Sequence, residues 1–481
     1  MTTLEKRLVV VSNRLPIVVT REGESWEIRS GSGGLVTALV PVMSANRGLW
    51  IGWSGVEEEG APVEALLKEY SQKQTYDIRP VLLSPDEASK FYRGFSNETL
   101  WPLFHDLLGQ CKFESDAWDA YVNANRHFAE TIAESLRPDD VVWIHDYQLL
   151  LVGRQLRQLG VTQPIGFFLH TPFPSQDLIA RLPWKRELMS ALLDYSVVGF
   201  QTLRDRRNFR RCVGALVPGS EITRKGRQRI IRHAGRITRA WHNPISIDFA
   251  EFNDAADTPK IKEWAEKIRQ EVSASKLILG LDRLDYTKGI PERYHAFEKM
   301  LEQHPELHGK VSLLQVVVPS RTRVPGYQNL KGLLEGLAGR INGRFARHGW
   351  VPIHYMFRAL DREELLAHYL ACEVCLVTPL RDGMNLVAKE YCAARVDNRG
   401  VLVLSEFTGA ADALSKGALA VNPYHLEGTA EALYQALTMD PEEQSKRMTL
   451  LRSEIRRNNV HKWLVGFMES LYGADEEPAA E

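Results

Sequence analysis

Residues fit for chemistry fall in a few tight groups along this chain. The first is Leu380-Arg381-Asp382-Gly383-Met384. It lies between a short apolar run, Val374 to Val377, stopped by Thr378-Pro379, and a helix-forming stretch from Asn385 to Ala394. In a strand-to-helix loop a glycine lets the backbone approach a ligand, and the helix start offers unpaired N–H groups suited to a phosphate. Asp382 is unsuited to phosphate by charge but can accept hydrogen bonds from sugar hydroxyls beside one. Glu390, farther along the helix, can hold a ribose diol. Together they suggest a nucleotide-sugar site, although an ordinary βα turn with a solvated Asp has the same spacing.

Arg283 and Lys288 form the second group, bracketing Leu284-Asp285-Tyr286-Thr287 ahead of a helix opened by Gly289-Ile290-Pro291. Proline suits a helix's first turn. Two cations beside a helix start can stabilise the charge that grows on a leaving diphosphate. Arg321, just past the strand Val311 to Val318, is a third cation aimed at the same crevice. A third group sits at strand ends, where open α/β sheets bind ligands. Arg14 closes the opening strand, and its planar fork suits a phosphate. His145-Asp146 follows the strand Val141 to Ile144, and His170 follows Ile165 to Leu169. The aromatic segment Phe91 to His105 adds Tyr92 and Trp101, which can shape a sugar pocket or serve as core.

These residues need a scaffold of alternating strands and helices. Arg7 to Ser12 reads as a strand, Val18 to Arg29 as a hairpin turning near Glu22-Gly23, and Leu35 to Leu39 as a helix entered through the glycine-rich Ser30 to Gly34. That stretch lacks the G-x-G-x-x-G spacing and follows a hairpin, which argues against a dinucleotide dehydrogenase. Gly34 can still bring backbone close to a donor. Further strands fall at Leu49 to Ser54 and Ser196 to Gln201. A first domain ends near His242 to Ile247. A second run places strands at Leu277 to Asp282, Val311 to Val318, Ile353 to Phe357, Val374 to Val377, Gly400 to Leu404 and Leu419 to Val421. Apolar strands alternating with helices imply parallel sheet. The last helical pattern, Pro441 to Tyr472, bends at Asn458-Asn459.

Composition narrows the classes. The 481 residues exceed one core, and 44% hydrophobic with 25% charged residues is a globular balance. A net charge of −1 gives no global pull toward nucleic acid or anionic lipid. The basic segment Arg204 to Arg239 carries Arg206, Arg207, Arg210 and Arg211 at helix spacing and Arg224 to Arg232 around a hairpin. With few interleaved aromatics it reads as a solvated face rather than a nucleic-acid patch. No apolar run approaches the roughly 20 residues of a membrane span. The N-terminus lacks a signal peptide's apolar region. Cys111, Cys212, Cys372, Cys375 and Cys392 lack a second C-x-x-C or a nearby His for zinc, so reduced thiols and a cytoplasmic location are expected.

The segment Arg381 to Glu390, RDGMNLVAKE, resembles the donor-site motif of the trehalose-6-phosphate synthases, retaining glycosyltransferases with two Rossmann-like domains. The resemblance runs from Leu8 to about Leu471. It includes VVVSNRLP (Val9 to Pro16), SGGL (Ser32 to Leu35), LWIGWSG (Leu49 to Gly55), FSNETLWPLFH (Phe95 to His105), WIHDYQLL (Trp143 to Leu150), GFFLHTPFP (Gly166 to Pro174), RLDYTKGIPER (Arg283 to Arg293) and AGRINGRF (Ala338 to Phe345). Ser246 departs from the family's usual glycine.

The resemblance implies a GT-B fold. Residues 1–245 would bind the acceptor, 246–458 would bind the nucleotide sugar, a final helix at about 459–472 would return to the first domain, and 473–481 would be a disordered acidic tail. It also implies glucose transfer from a nucleoside diphosphate to glucose 6-phosphate, UDP-glucose being the default donor and GDP- or ADP-glucose the alternatives. Arg14, Tyr92, Trp101, Asp146 and Arg321 would bind the acceptor. Gly34, His170, Arg283, Lys288, Asp382, Gly383, Met384, Asn385, Leu386, Val387 and Glu390 would bind the donor. Asp146, His170, Arg283, Lys288 and Asp382 would act in catalysis. The base would sit near Tyr355 to Arg358.

No cofactor and no metal are expected, since the chain has no D-x-D and cations already fill the metal's role. Partners are the small-molecule substrates, not nucleic acid or membrane, with a homo-oligomer left open. Two rival classes are a retaining glycoside hydrolase, which needs a carboxylate pair roughly 5 Å apart, and a non-catalytic sugar-phosphate sensor. Phosphate-directed cations have no purpose in the first, and a full set of donor-site residues argues against the second.

Overall fold

The β-branched and leucine-rich runs of the sequence assemble into two separate sheets, one mostly and one wholly parallel. The structure, a computed structural model, describes residues 6–22, 25–31, 34–56, 62–225, 228–320 and 325–473. Two compact units emerge: the described residues up to Ile245 together with those from His461 onward, and residues 246–460.

In the first unit nine strands follow the order Asp77–Val81, Leu49–Trp53, Leu8–Arg14, Val141–His145, Ile165–Leu169, Val197–Phe200, Arg236–His242, Gln228–His233 and Glu221–Lys225. All pair in parallel except the last two, which fold back antiparallel. The central strands are buried throughout, as expected where helices cover both faces. The opening strand runs two residues past the expected Ser12. Its register slips between Val11 and Arg14, and Ser12 Oγ donates to the Arg14 carbonyl (2.6 Å) while accepting from Trp50 Nε1 (2.8 Å). Such an irregularity re-aims a strand-end side chain, here Arg14. The hairpin forms as a separate two-stranded sheet, Ile17–Glu22 with Ser25–Ser30; Gly23 at its turn lies outside the described residues. The segment Ser89–Leu100 is a π-helix, a wide form that local sequence does not announce.

The final helix, Val460–Tyr472, begins after a break at Asn458-Asn459. Its Phe467 ring stacks on Trp143 (4.5 Å, 14°), and Trp463 lies 4.8 Å from the same indole. A Cβ on Gly166 or Gly199 would meet Phe467 ring atoms at 2.6 and 2.9 Å. Glycine on two neighbouring strands therefore opens the slot that the phenylalanine fills. Asn243 Nδ2 ties this helix to the end of the sheet by donating to the Trp463 carbonyl (2.7 Å).

The second unit has six parallel strands in the order Ile353–Met356, Val311–Val318, Lys276–Arg283, Val374–Val377, Val401–Ser405 and Leu419–Val421. Side chains alternate as the pleat requires. Leu277, Leu279, Cys375, Val377, Leu402 and Leu404 join one buried cluster; Ile278, Val374, Leu376, Val401 and Val403 join the other. Helices thus cover both faces, the Rossmann-like arrangement expected. All five cysteines are free thiols. Among the described residues no helix is long and apolar enough to cross a membrane, and no His/Cys/Asp/Glu cluster is placed to hold a metal ion.

Candidate functional site

Every described strand-end candidate occupies the carboxyl end of a parallel strand. In the first unit Arg14 is exposed, with its guanidinium carbon 4.5 Å over the Trp53 ring and 5.9 Å over the Tyr92 ring. Trp53 and Tyr92 meet edge-on at 6.0 Å. Gly55, at φ 82°, vacates the space: a Cβ there would fall 1.1 Å from Arg14 Nη1. The sequence alone assigns no role to Trp53 or Gly55, although both stand in LWIGWSG; the signal is a glycine two residues past a strand end.

Asp146 and His170 are brought into direct contact, the Asp146 Oδ1 accepting from the His170 backbone N–H (3.2 Å). Asp146 has φ 74° and ψ 169°, a region that side chains other than hydrogen rarely enter. Strain of that kind persists where the surroundings impose it. The His170 ring lies 3.1 Å by Nε2 from His145 Nδ1, and 3.5 Å by Nδ1 from the Gln201 amide nitrogen. Gln201 Oε1 accepts from the Ile245 N–H (2.9 Å), which fixes the amide's orientation and turns its NH2 toward His170. The His170 proton then belongs on Nε2, donated to His145. Burial pushes His170 down to about 3, and burial plus the His170 ring holds His145 well below its usual range. Both imidazoles are neutral near pH 7, so His170 is not a proton donor of cationic type, and it orients a hydroxyl only by turning its Nε2–H from His145 toward it.

Tyr147, next to Asp146, links these groups to the aromatic segment. Its hydroxyl donates to Asn97 Oδ1 (2.9 Å), and Asn97 Nδ2 donates to the Tyr92 carbonyl (2.7 Å). Trp101 packs on His105 at 4.1 Å and on Tyr147 at 5.6 Å and is only 5% exposed. The expected open face for a pyranose is therefore largely taken up by core packing. Gly34 opens the helix Gly34–Asn46; Ser32 and Gly33 lie outside the described residues, as does Arg321.

In the second unit Arg283 is exposed at the end of its strand. Lys288 Nζ donates to Asp382 Oδ2 at 2.6 Å, both side chains being 11% exposed. The loop bearing Asp382 is pinned from two sides. Leu380 N–H donates to the Thr287 carbonyl (2.8 Å), and Asp382 bridges to the segment at Thr408 through its N–H to Phe407 (3.2 Å) and its carbonyl to the Gly409 N–H (3.2 Å). Asn385 caps the helix Leu386–Ala394, its Oδ1 accepting from the Ala388 N–H (3.0 Å). Gly383 is buried, whereas Met384, Leu386 and Val387 are half-buried against the core. Glu390 accepts from the Tyr369 hydroxyl (2.7 Å). Burial raises its carboxyl's affinity for a proton, opposed by that hydrogen bond and by Arg362. Tyr355 and His354 belong to the edge strand Ile353–Met356.

Cations, a sugar-suited carboxylate and a capped helix start at strand ends are the parts of an enzyme that handles phosphorylated sugars. The chain belongs to glycosyltransferase family 20, whose model matches residues 6–473. It is 43% identical to the trehalose-6-phosphate synthase of Mycobacterium sp. (strain JLS), over 96% of this chain and 95% of that one. Among solved structures it is similar to an α,α-trehalose-phosphate synthase (UDP-forming) from Burkholderia xenovorans in complex with glucose 6-phosphate. The TM-score is 0.86 at 37% identity, covering 97% of this chain and 100% of that one. An E. coli structure described as trehalose-6-phosphate bound with UDP-2-fluoro glucose matches at TM-score 0.86 and 37% identity, over 98% and 100%.

Proposed function

We propose that this chain moves glucose from a nucleoside-diphosphate glucose, UDP-glucose first among them, to glucose 6-phosphate, giving α,α-trehalose 6-phosphate and the nucleoside diphosphate. The observation that carries the reading is the Lys288–Asp382 pair beside Arg283 and a capped helix start. It sets a diphosphate-neutralising cation directly against a carboxylate suited to sugar hydroxyls. The UDP-forming, glucose 6-phosphate-bound and UDP-sugar-bound relatives support the choice of substrates.

In this reading Arg283 and Lys288 hold the diphosphate as the bond from glucose C1 to its oxygen breaks. The anomeric hydroxyl of glucose 6-phosphate forms the new bond to C1 on the face the diphosphate leaves, and its proton passes to a diphosphate oxygen. Asp382 and neutral His170 orient the donor glucose, amides from Gly383 to Val387 and the backbone at Gly34 line the donor, and Glu390 takes the ribose. Arg14 with Tyr92 and Arg321 read the 6-phosphate, Asp146 orients the acceptor, and Trp101 backs the pocket through Tyr147. The first unit then supplies Arg14, Tyr92, Trp101 and Asp146 to the acceptor, and the second supplies Arg283, Lys288, Asp382 and Glu390 to the donor. Free thiols at all five cysteines suit a reducing, cytoplasmic setting.

Mixing the protein with UDP-glucose and glucose 6-phosphate should release UDP, with little release when glucose 6-phosphate is omitted. Arg283→Ala and Lys288→Ala should each lower turnover by about 10²–10³, the scale of losing one preorganised charge-stabilising group. Wild-type turnover in either variant at saturating donor would remove the diphosphate assignment.

A further inference from the structure

We infer that Arg293, a buried residue no step above requires, is the positioning residue that sets Arg283, Lys288 and Asp382 in register with one another. Arg293 lies in the first turn of the helix Ile290–Gln303 and is fully buried. Its Nε donates to Thr378 Oγ1 (3.0 Å), its Nη1 donates to Gln315 Oε1 (3.0 Å), and its Nη2 lies 2.7 Å from Asp282 Oδ2. Each partner adjoins a part of the site. Asp282 immediately precedes Arg283. Thr378 opens the loop that leads to Asp382, and its hydroxyl donates to the carbonyl of Gly289 (3.2 Å), the residue after Lys288. The Arg293 N–H donates to that same carbonyl (2.9 Å).

The surroundings are shaped around this guanidinium. Gly280 lies beneath it, where a Cβ would fall 2.6 Å from Nη1 and 2.4 Å from Gln315 Oε1. Gly289 adopts φ 61°, where a Cβ would fall 2.1 Å from the Thr378 carbonyl oxygen. Two glycines thus allow strand, helix start and loop to approach one planar fork. Burial pushes the Asp282 carboxyl up, with Arg293 and Lys288 opposing that shift. A lysine could match the charge of Arg293 but not reach three partners at once. The dependence on geometry separates positioning from mere burial.

The inference rests on the reading of Arg283 and Lys288 as diphosphate ligands, so the test is UDP binding by calorimetry in the full chain, with Arg283→Ala as the control. Arg293→Lys should weaken UDP binding about tenfold, the scale of misplacing one charge-assisted hydrogen bond. Thr378→Val should weaken it measurably, and Thr378→Ser, which keeps the hydroxyl, should restore it. Glucose 6-phosphate binding should be unchanged in all three. If Arg293→Lys does not fold, the Thr378 pair decides the matter. Parent-like UDP affinity in folded Arg293→Lys or in Thr378→Val, with Arg283→Ala impaired, overturns the positioning role while leaving the site standing. Parent-like affinity in Arg283→Ala overturns the site reading, and this inference with it.

Discussion

The Arg14 guanidinium rests on the Trp53 ring in room that exists only because residue 55 has no side chain. Gly55→Ala should therefore reproduce much of Arg14→Ala. Both should weaken glucose 6-phosphate binding by roughly 1.5–3 kcal/mol, the range of a charge-assisted hydrogen bond, with UDP binding unchanged. Titration calorimetry showing parent-like glucose 6-phosphate affinity in both variants would remove Arg14 from the acceptor site. Such partners were hidden in the sequence for a physical reason. Arg14, His145, Asp146, His170 and Arg283 stand at strand ends, which a run of apolar residues reveals; Trp53, Gln201 and Thr378 act through contacts that local pattern does not encode.

His170 adds a prediction of its own. An unfolded histidine takes a proton near its ordinary 6.5, whereas folded His170 resists until about 3. Between those values the unfolded chain binds the extra proton, so stability falls as pH drops, by about 1.4 kcal/mol per pH unit for this residue. Urea unfolding at pH values between about 6 and 4, inside that window, should show a shallower pH dependence in His170→Gln than in the parent. Equal slopes would mean that the imidazole is not held neutral.

Among the elements, those with strong local signals were read well. Pro291 opens its helix, the helix Leu386–Ala394 starts at Asn385, and the chain breaks at Asn458-Asn459. The π-helix Ser89–Leu100 was not foreseen, because its extra width is imposed by packing: Phe91 and Phe95 are both fully buried and both lie against Tyr121. The strand glycines were also silent until Phe467 was seen to fill the space they leave. Phe467→Ala should cost about 3–5 kcal/mol in denaturant unfolding, the range for emptying a buried aromatic site. A loss under about 1 kcal/mol, within the scatter of surface changes, would show that the final helix is not locked by this ring.

At the scale of the molecule, two parallel α/β sheets were legible from alternating apolar strands and helices, and the ordered motifs from Leu8 onward pointed to the family that the comparison then showed. The base preference of the donor was not legible, since backbone groups that any residue supplies can read a base. The proposed reaction is at its heart a transfer of glucose, with retention, from a nucleotide sugar to a sugar phosphate. The direct test is NMR of the product formed from UDP-glucose labelled at glucose C1 and unlabelled glucose 6-phosphate. Transfer with retention gives one UDP per product molecule, with the labelled carbon in the α configuration and joined through oxygen to an α anomeric carbon that bears no label. A β-configured labelled carbon, or labelled free glucose in place of the disaccharide phosphate, would contradict it.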